Sequence, residues 1–237
     1  MRLLSFDTSA PSLSVALIED GVPVCCRTVP PSAGGRQEAV SRLMPTIDAI
    51  IKENGWEKRD LDGVVAGIGP GSFTGVRVSV ATARAICQGL DLPLVGVSRF
   101  ASIARLVPLP AAIILDGGRG HLFVAAYDSM GEVIPPACIK SDELEDFAGR
   151  TRDLVTGYVS EVELSSLAAE SLPDLSEIAS IQGIIGSEAL TGSNDRKKQF
   201  PYNDVKPLYL RGASITLKKK KDATGPDSNL SQSAQAP

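Results

Sequence analysis

The sequence predicts an α/β fold built from two halves that share one order of elements, and three observations carry the prediction. Short apolar strands open the chain, buried strands then alternate with amphipathic helices, and the same grammar restarts after a proline-rich break. With 237 residues, the chain is long enough for two lobes that each bury a core.

Residues 3–6 form an apolar run that ends at Asp7, and residues 12–18 alternate small, polar and apolar positions. Asp20-Gly21 supplies hairpin turn chemistry and Val22–Val29 returns, so the opening reads as an antiparallel meander. Pro30-Pro31-Ser32-Ala33-Gly34-Gly35 breaks the strand pattern. Val40, Leu43, Met44, Ile47, Ile50 and Ile51 then fall at helical spacing. Pro45 lies inside that stretch and predicts a kink or break, since an interior proline costs about 3 kcal/mol.

Residues 61–68 read as a buried strand, followed by Gly69-Pro70-Gly71-Ser72-Phe73-Thr74-Gly75-Val76-Arg77. Val76, Val80, Ala83, Cys87 and Leu90 mark one face of the next helix, and the small Ser79, Ala81 and Ala85 allow another helix to approach. Residues 94–97 are strand-like, and Ser98 is placed to cap a helix running to about residue 106.

Pro108-Leu109-Pro110 separates an expected first lobe, 1–107, from a second, 108–217. In the second, residues 111–115 are strand-like, and Asp116-Gly117-Gly118-Arg119-Gly120 makes a turn before a strand over 122–127. Helices are expected near 142–148, 165–172 and 178–190, with a strand near 154–158. Residues 218–237, with Lys218 to Lys221 at their head, carry little to bury and read as a disordered tail.

A net charge of −4 argues against a chain whose main work is gripping phosphate backbones. Asp7 interrupts any signal-peptide core and no run of about 18 apolar residues exists, so a cytoplasmic protein with no membrane association is expected. Cys25, Cys26, Cys87 and Cys138 lack metal-site spacing and read as small apolar residues in a reducing compartment. His121 is the single histidine, too few for a histidine metal pair, so no metal and no resident cofactor is expected.

Three loops are chemically suggestive. Asp7-Thr8-Ser9 and Asp116-Gly117-Gly118 hold corresponding places in the two halves, and either suits a Mg²⁺–phosphate contact or an ordinary Asx turn. Gly69, Gly71, Ser72, Thr74 and Gly75 lie between a strand and a helix, where backbone amides either cradle an anion or simply make the turn. Arg77, in the first helical turn, opposes the macrodipole and hints at an acidic neighbour.

Taken together these motifs resemble the TsaB (YeaZ) family of the actin-like ATPase superfamily. The resemblance rests on Phe6-Asp7-Thr8-Ser9, on the stretch from Gly69 to Arg77, on residues 116–127 and on Pro207-Leu208-Tyr209-Leu210-Arg211. Two places depart from the family pattern. Ala39-Val40-Ser41 replaces a His-Ser-Glu-like triplet, and Asp116-Gly117-Gly118 replaces Asp-Ala-Arg.

The resemblance implies a two-lobed actin-like (RNase H-like) fold and a non-catalytic subunit without catalytic residues. It implies pairing with a TsaD-like transferase, and through it with a TsaE-like ATPase, in threonylcarbamoylation of the adenosine beside the tRNA anticodon. The tRNA would be engaged indirectly, and the chain would form a homodimer when TsaD is absent. Val40, Leu43, Met44, Ile47, Ile51, Arg77, Ala81 and Arg84 are the expected partner-binding positions. The alternative is an active ATP-dependent phosphotransferase of the same superfold that uses Asp7 and the glycine loops.

Overall fold

A computed structural model describes residues 1–31, 36–151, 156–159 and 169–211, so the tail 218–237 lies outside the described residues. The chain opens with β1 (Arg2–Asp7), β2 (Leu13–Glu19) and β3 (Val22–Val29), an antiparallel meander as its alternation predicts. Helices α1 (Arg36–Glu53) and α2 (Phe73–Leu90) precede β4 (Gly63–Gly67) and β5 (Leu94–Val97) respectively, and both strands run parallel to β1. The resulting sheet has the order β3-β2-β1-β4-β5.

After α3 (Arg99–Ala104), the second half repeats the plan with β6 (Ala111–Asp116), β7 (His121–Asp128), β8 (Gly131–Lys140), α4 (Leu144–Thr151), β9 (Thr156–Val159) and β10 (Ala169–Ser171). Its sheet order, β10-β9-β6-β7-β8, is the first sheet's plan position for position. The topological duplication read from turn grammar is therefore present without residue-level repetition. Residues 169–171 are strand where a helix over 165–172 was expected; pairing beside β9 decides their state.

α1 runs unbroken through Pro45, against the expected kink or break. Leu43, Ile47, Ile50 and Ile51 are each no more than 3% exposed. Burying four such side chains, at roughly 1.5–3 kcal/mol each, outweighs the roughly 3 kcal/mol proline cost. Pro45 itself lies on the exposed side.

The first sheet is covered on both faces. Leu4, Phe6, Val15, Leu17, Val64 and Ala66 meet α1 and α2, while Leu3, Ala16, Ile18 and Val65 point the other way. That second face is covered by α5 (Ile178–Thr191), which chain order assigns to the lobe 108–217 but which packs on the first sheet. Its glycines make the approach close: an added Cβ would lie 2.5 Å from Ile18 at Gly183 and 2.3 Å from Val65 at Gly186. A short helix, α6 (Arg196–Gln199), leads into the final segment.

Candidate functional site

Asp7 ends β1 in the interior and is 0% exposed. Its Oδ1 accepts from the Ser9 backbone N–H at 2.6 Å, an Asx turn, and its Oδ2 accepts from Gln182 Nε2 of α5 at 2.7 Å. Both carboxylate oxygens are thus engaged by the protein. Space around it is tight as well: a Cβ at Gly67 would sit 2.2 Å from Asp7 Oδ2.

The glycine loop is welded to the same turn. Ser72 N–H donates to the Ser9 carbonyl at 2.8 Å, and the Thr8 hydroxyl donates to the Gly75 carbonyl at 2.6 Å. Ser72 caps α2 by accepting from the Gly75 N–H at 3.3 Å, and its carbonyl takes the Val76 N–H. Glycine is required by closeness: a Cβ at Gly71 would lie 2.3 Å from the Ser9 carbonyl oxygen, and one at Gly75 only 1.9 Å from that of Thr8. Gly69 adopts φ +94° before the cis Gly69–Pro70 bond. Thr74 faces solvent. The amides of Ser72, Gly75 and Val76 are spent on internal bonds, and the same loop launches α2.

Arg99, which the sequence reading did not single out, completes this corner. Its backbone N–H donates to Gly69 at 2.7 Å and its guanidinium to the Pro70 carbonyl at 3.2 Å. Burial pushes its pKa down, and the nearby Asp7 charge opposes that shift. The available signal was an arginine at the first position after the cap Ser98, the same dipole-opposing placement noted for Arg77.

In the second lobe, Asp116 is exposed and its Oδ1 accepts from the Gly118 N–H at 2.7 Å. Gly118 and Arg119 both have positive φ, +70° and +57°, while Gly117 donates to His121 O at 2.9 Å. His121 Nδ1 lies 3.0 Å from the Arg119 carbonyl. A cleft of about 1080 Å³ separates this turn from Ser9, Gly71, Ser72 and Arg99. The structure therefore brings the three candidate loops to one cleft, with Asp7 behind its wall.

The chain's last described residues tie the two lobes together. Leu208 N–H donates to the Ile68 carbonyl at 2.9 Å in the first lobe, and Arg211 Nη1 donates to the Gly118 carbonyl at 3.0 Å in the second. Val205 packs into the first core and Leu210 into the second. In the sequence, Pro207 to Arg211 stand out only as a family mark. The apolar Val205, Leu208 and Leu210, with Pro207 among them, were the signal that this segment is held rather than loose.

The expected partner face is only partly a surface. Leu43, Ile47 and Ile51 are 1%, 2% and 3% exposed and belong to the core beneath α1, so their assignment to a partner is corrected. An apolar stripe at helical spacing first satisfies its own sheet. Arg84 is half-buried and donates to the carbonyls of Asn203, at 2.7 Å, and Val205, at 2.5 Å, so it holds the closing segment. Met44, 42% exposed, and the exposed Arg77 and Ala81 remain on the surface, while the Val40 side chain lies outside the described residues.

Among the described residues no group of three or more His, Cys, Asp or Glu is arranged to hold a metal ion. The cysteines are free, and burial raises the Cys87 thiol to about 12 and moves Cys26 and Cys138 upward as well. Among the described residues no helix is long and apolar enough to cross a membrane.

Residues 29–182 match the family model described as TsaD, tRNA N6-adenosine threonylcarbamoyltransferase. The chain is 34% identical over 105 residues to the tRNA threonylcarbamoyladenosine biosynthesis protein TsaB of Escherichia coli, covering 44% of this chain and 43% of that protein. It is 33% identical to the Haemophilus influenzae protein of the same name, covering 62% of this chain and 58% of that protein. These two matches thus span about half of each relative's length. The Bacillus subtilis protein TsaB is 28% identical, with 92% of this chain and 97% of that protein covered. Among solved structures, YeaZ from Pseudomonas aeruginosa superimposes with a TM-score of 0.61 at 21% identity, over 88% of this chain and 99% of that one. An uncharacterized protein with similarity to peptidase YEAZ, from the same organism, gives a TM-score of 0.64 at 21% identity over 89% and 99%.

Proposed function

Because the chain belongs to the TsaB (YeaZ) family, within the TsaD-related actin-like proteins, we propose that it is a non-catalytic subunit that binds and activates a TsaD-like transferase. It works in the cytoplasm, assists threonylcarbamoylation of the adenosine beside the tRNA anticodon, and engages a TsaE-like ATPase through the complex. Without its partner it self-associates through α1 and α2. A place in threonylcarbamoyladenosine biosynthesis is the part its relatives carry by name.

One observation carries the choice of scaffold over phosphotransferase. Asp7, the carboxylate an actin-like enzyme would turn toward a metal–phosphate group, is fully buried with both oxygens bonded to Ser9 and Gln182. A carboxylate committed in this way supports the fold rather than a substrate. The three loops, with Asp7, Thr8, Gly69, Gly71, Ser72, Thr74, Gly75, Asp116, Gly117 and Gly118, are structural turns in this reading.

The test is co-elution of this chain with the TsaD-like chain of the same genome, followed by a transfer assay. The modification is expected only when both are present. A chain that elutes alone at tens of micromolar TsaD overturns the reading, and stoichiometric ATP binding by the isolated chain moves it toward the phosphotransferase.

A further inference from the structure

Three arginines cluster around α2 and its closing segment, and two of them turn inward. Arg99 donates to Pro70 and Arg84 to Asn203 and Val205. Arg77 is different. It is exposed, its Nε donates to the Tyr209 hydroxyl at 2.9 Å, and its guanidinium carbon sits 3.9 Å from the Phe73 ring centroid and 5.8 Å from that of Tyr209. The two rings lie 5.0 Å apart, inclined at 35°.

This mounting fixes a side chain that is ordinarily mobile. Cation–π contact and one hydrogen bond hold the guanidinium plane, while its two terminal amino groups have no acceptor among the described residues. Those groups form the fork that matches a carboxylate. The charge is also uncompensated. No acidic residue lies in the first turn of α2, where the macrodipole is already positive, and no carboxylate among the described residues pairs with Arg77, in a chain of net charge −4.

The surface beyond Arg77 on α2 favours protein over nucleic acid as occupant. Ala81 and Ala85, one and two turns on, are exposed, and a Cβ at Gly89 would meet nothing within 4 Å. This stripe admits a closely approaching helix. It offers no second cation of the kind that tracking a phosphate backbone requires.

Resting on the scaffold reading, we propose that Arg77 anchors a carboxylate on a helix of the TsaD-like partner, with Tyr209 as the residue that positions it. Rigid, aromatic-backed arginines are the residues that dominate interfaces, because little ordering remains to be done on binding.

The experiment is calorimetric titration of the full chain and its variants with the TsaD-like chain, at low and at moderate salt. Arg77→Ala is expected to weaken binding by about 30-fold or more and to flatten its salt dependence. Arg77→Lys, which keeps charge but loses the fork, is expected to fall between, and Tyr209→Phe to weaken binding about threefold to tenfold with melting unchanged. Equal affinity of wild type and Arg77→Ala overturns the anchor and leaves the scaffold reading standing. Absence of wild-type binding overturns the scaffold reading, and the anchor with it. Should Arg77→Ala keep TsaD affinity yet lose affinity for an anticodon-stem RNA, the surface is a phosphate site and the proposal fails. A melting point lowered by Tyr209→Phe, in step with its affinity, makes Tyr209 a brace of the closing segment and overturns its positioning role.

Discussion

Asp7-Thr8-Ser9 and Asp116-Gly117-Gly118 occupy the same place in two sheets of the same plan, each closing the strand that leads its lobe. Both begin with an Asx turn. Their fates differ: Asp7 is sealed behind Gln182, Gly67 and the glycine loop, whereas Asp116 stands at the rim of the cleft. The difference teaches that turn chemistry sets the local backbone while the layer packed on top decides whether the carboxylate meets water. Among the described residues, α5 supplies that layer in the first lobe, and the cleft borders the turn in the second.

The largest separation between the turns is expected from Asp7→Ala. It strands the Gln182 amide and the Ser9 N–H and leaves the buried Arg99 without its nearby countercharge, at a cost of about 3–5 kcal/mol. A melting point lower by roughly 10 °C is expected by calorimetry, and one within 2 °C of wild type would break the comparison. Asp7→Asn is milder, because Gln182 can turn its unpartnered Oε1 toward the new amide. If Asp7 served a metal–phosphate group instead, Asn would abolish function while Ala and Asn melted alike.

Next in size is Gly75→Ala. A methyl 1.9 Å from the Thr8 carbonyl forces α2 and the first turn apart, at about 2–3 kcal/mol, read from the urea midpoint. In the second lobe, Gly118→Ala meets nothing within 4 Å and strains only a φ of +70°, for about 1 kcal/mol. A larger loss at Gly118 than at Gly75 would reverse the contrast.

Alkaline pH separates the lobes by another route. Folding raises the Cys87 thiol of α2 from 9.0 to about 12 and the Tyr127 phenol of β7 from 10.0 to about 12, both chiefly by burial. The folded chain keeps protons that the unfolded chain releases. Stability is therefore unaffected by Cys87 below pH 9 and falls by about 1.4 kcal/mol per unit from there toward pH 12. Urea melts of Cys87→Ala should show a shallower fall above pH 9, the remainder coming from Cys26 and Cys138 and, above pH 10, from Tyr127. An unchanged slope assigns the loss elsewhere. The smallest effect belongs to Asp116→Ala, at most about 1 kcal/mol, because the side chain is exposed.

Much of this architecture was legible because period and turn chemistry are local. The opening meander, α2 and the restart after Pro110 followed from spacing alone. The misreadings were questions of direction. Leu43, Ile47 and Ile51 could face a partner or their own sheet, and nothing in a stripe says which. Arg84 and Arg77 lie two helical turns apart on one element, yet one turns in to carbonyls and the other out to solvent, because residues 203–205 reach only the former. Arg99 was missed because its partners, Pro70 and Asp7, are distant in sequence. Long-range partners likewise hid the closing segment's tie between Ile68 and Gly118.

The return of α5 to the first sheet has a consequence for how the chain is made. A ribosome releases β1 to β5 long before Ile178–Thr191 exists, so the nascent first lobe waits with Leu3, Ile18 and Val65 uncovered. Those contacts have a large sequence separation, which slows folding and holds the first lobe incomplete until α5 has been made. The first lobe consequently completes its core only after β6 to β10 have been made.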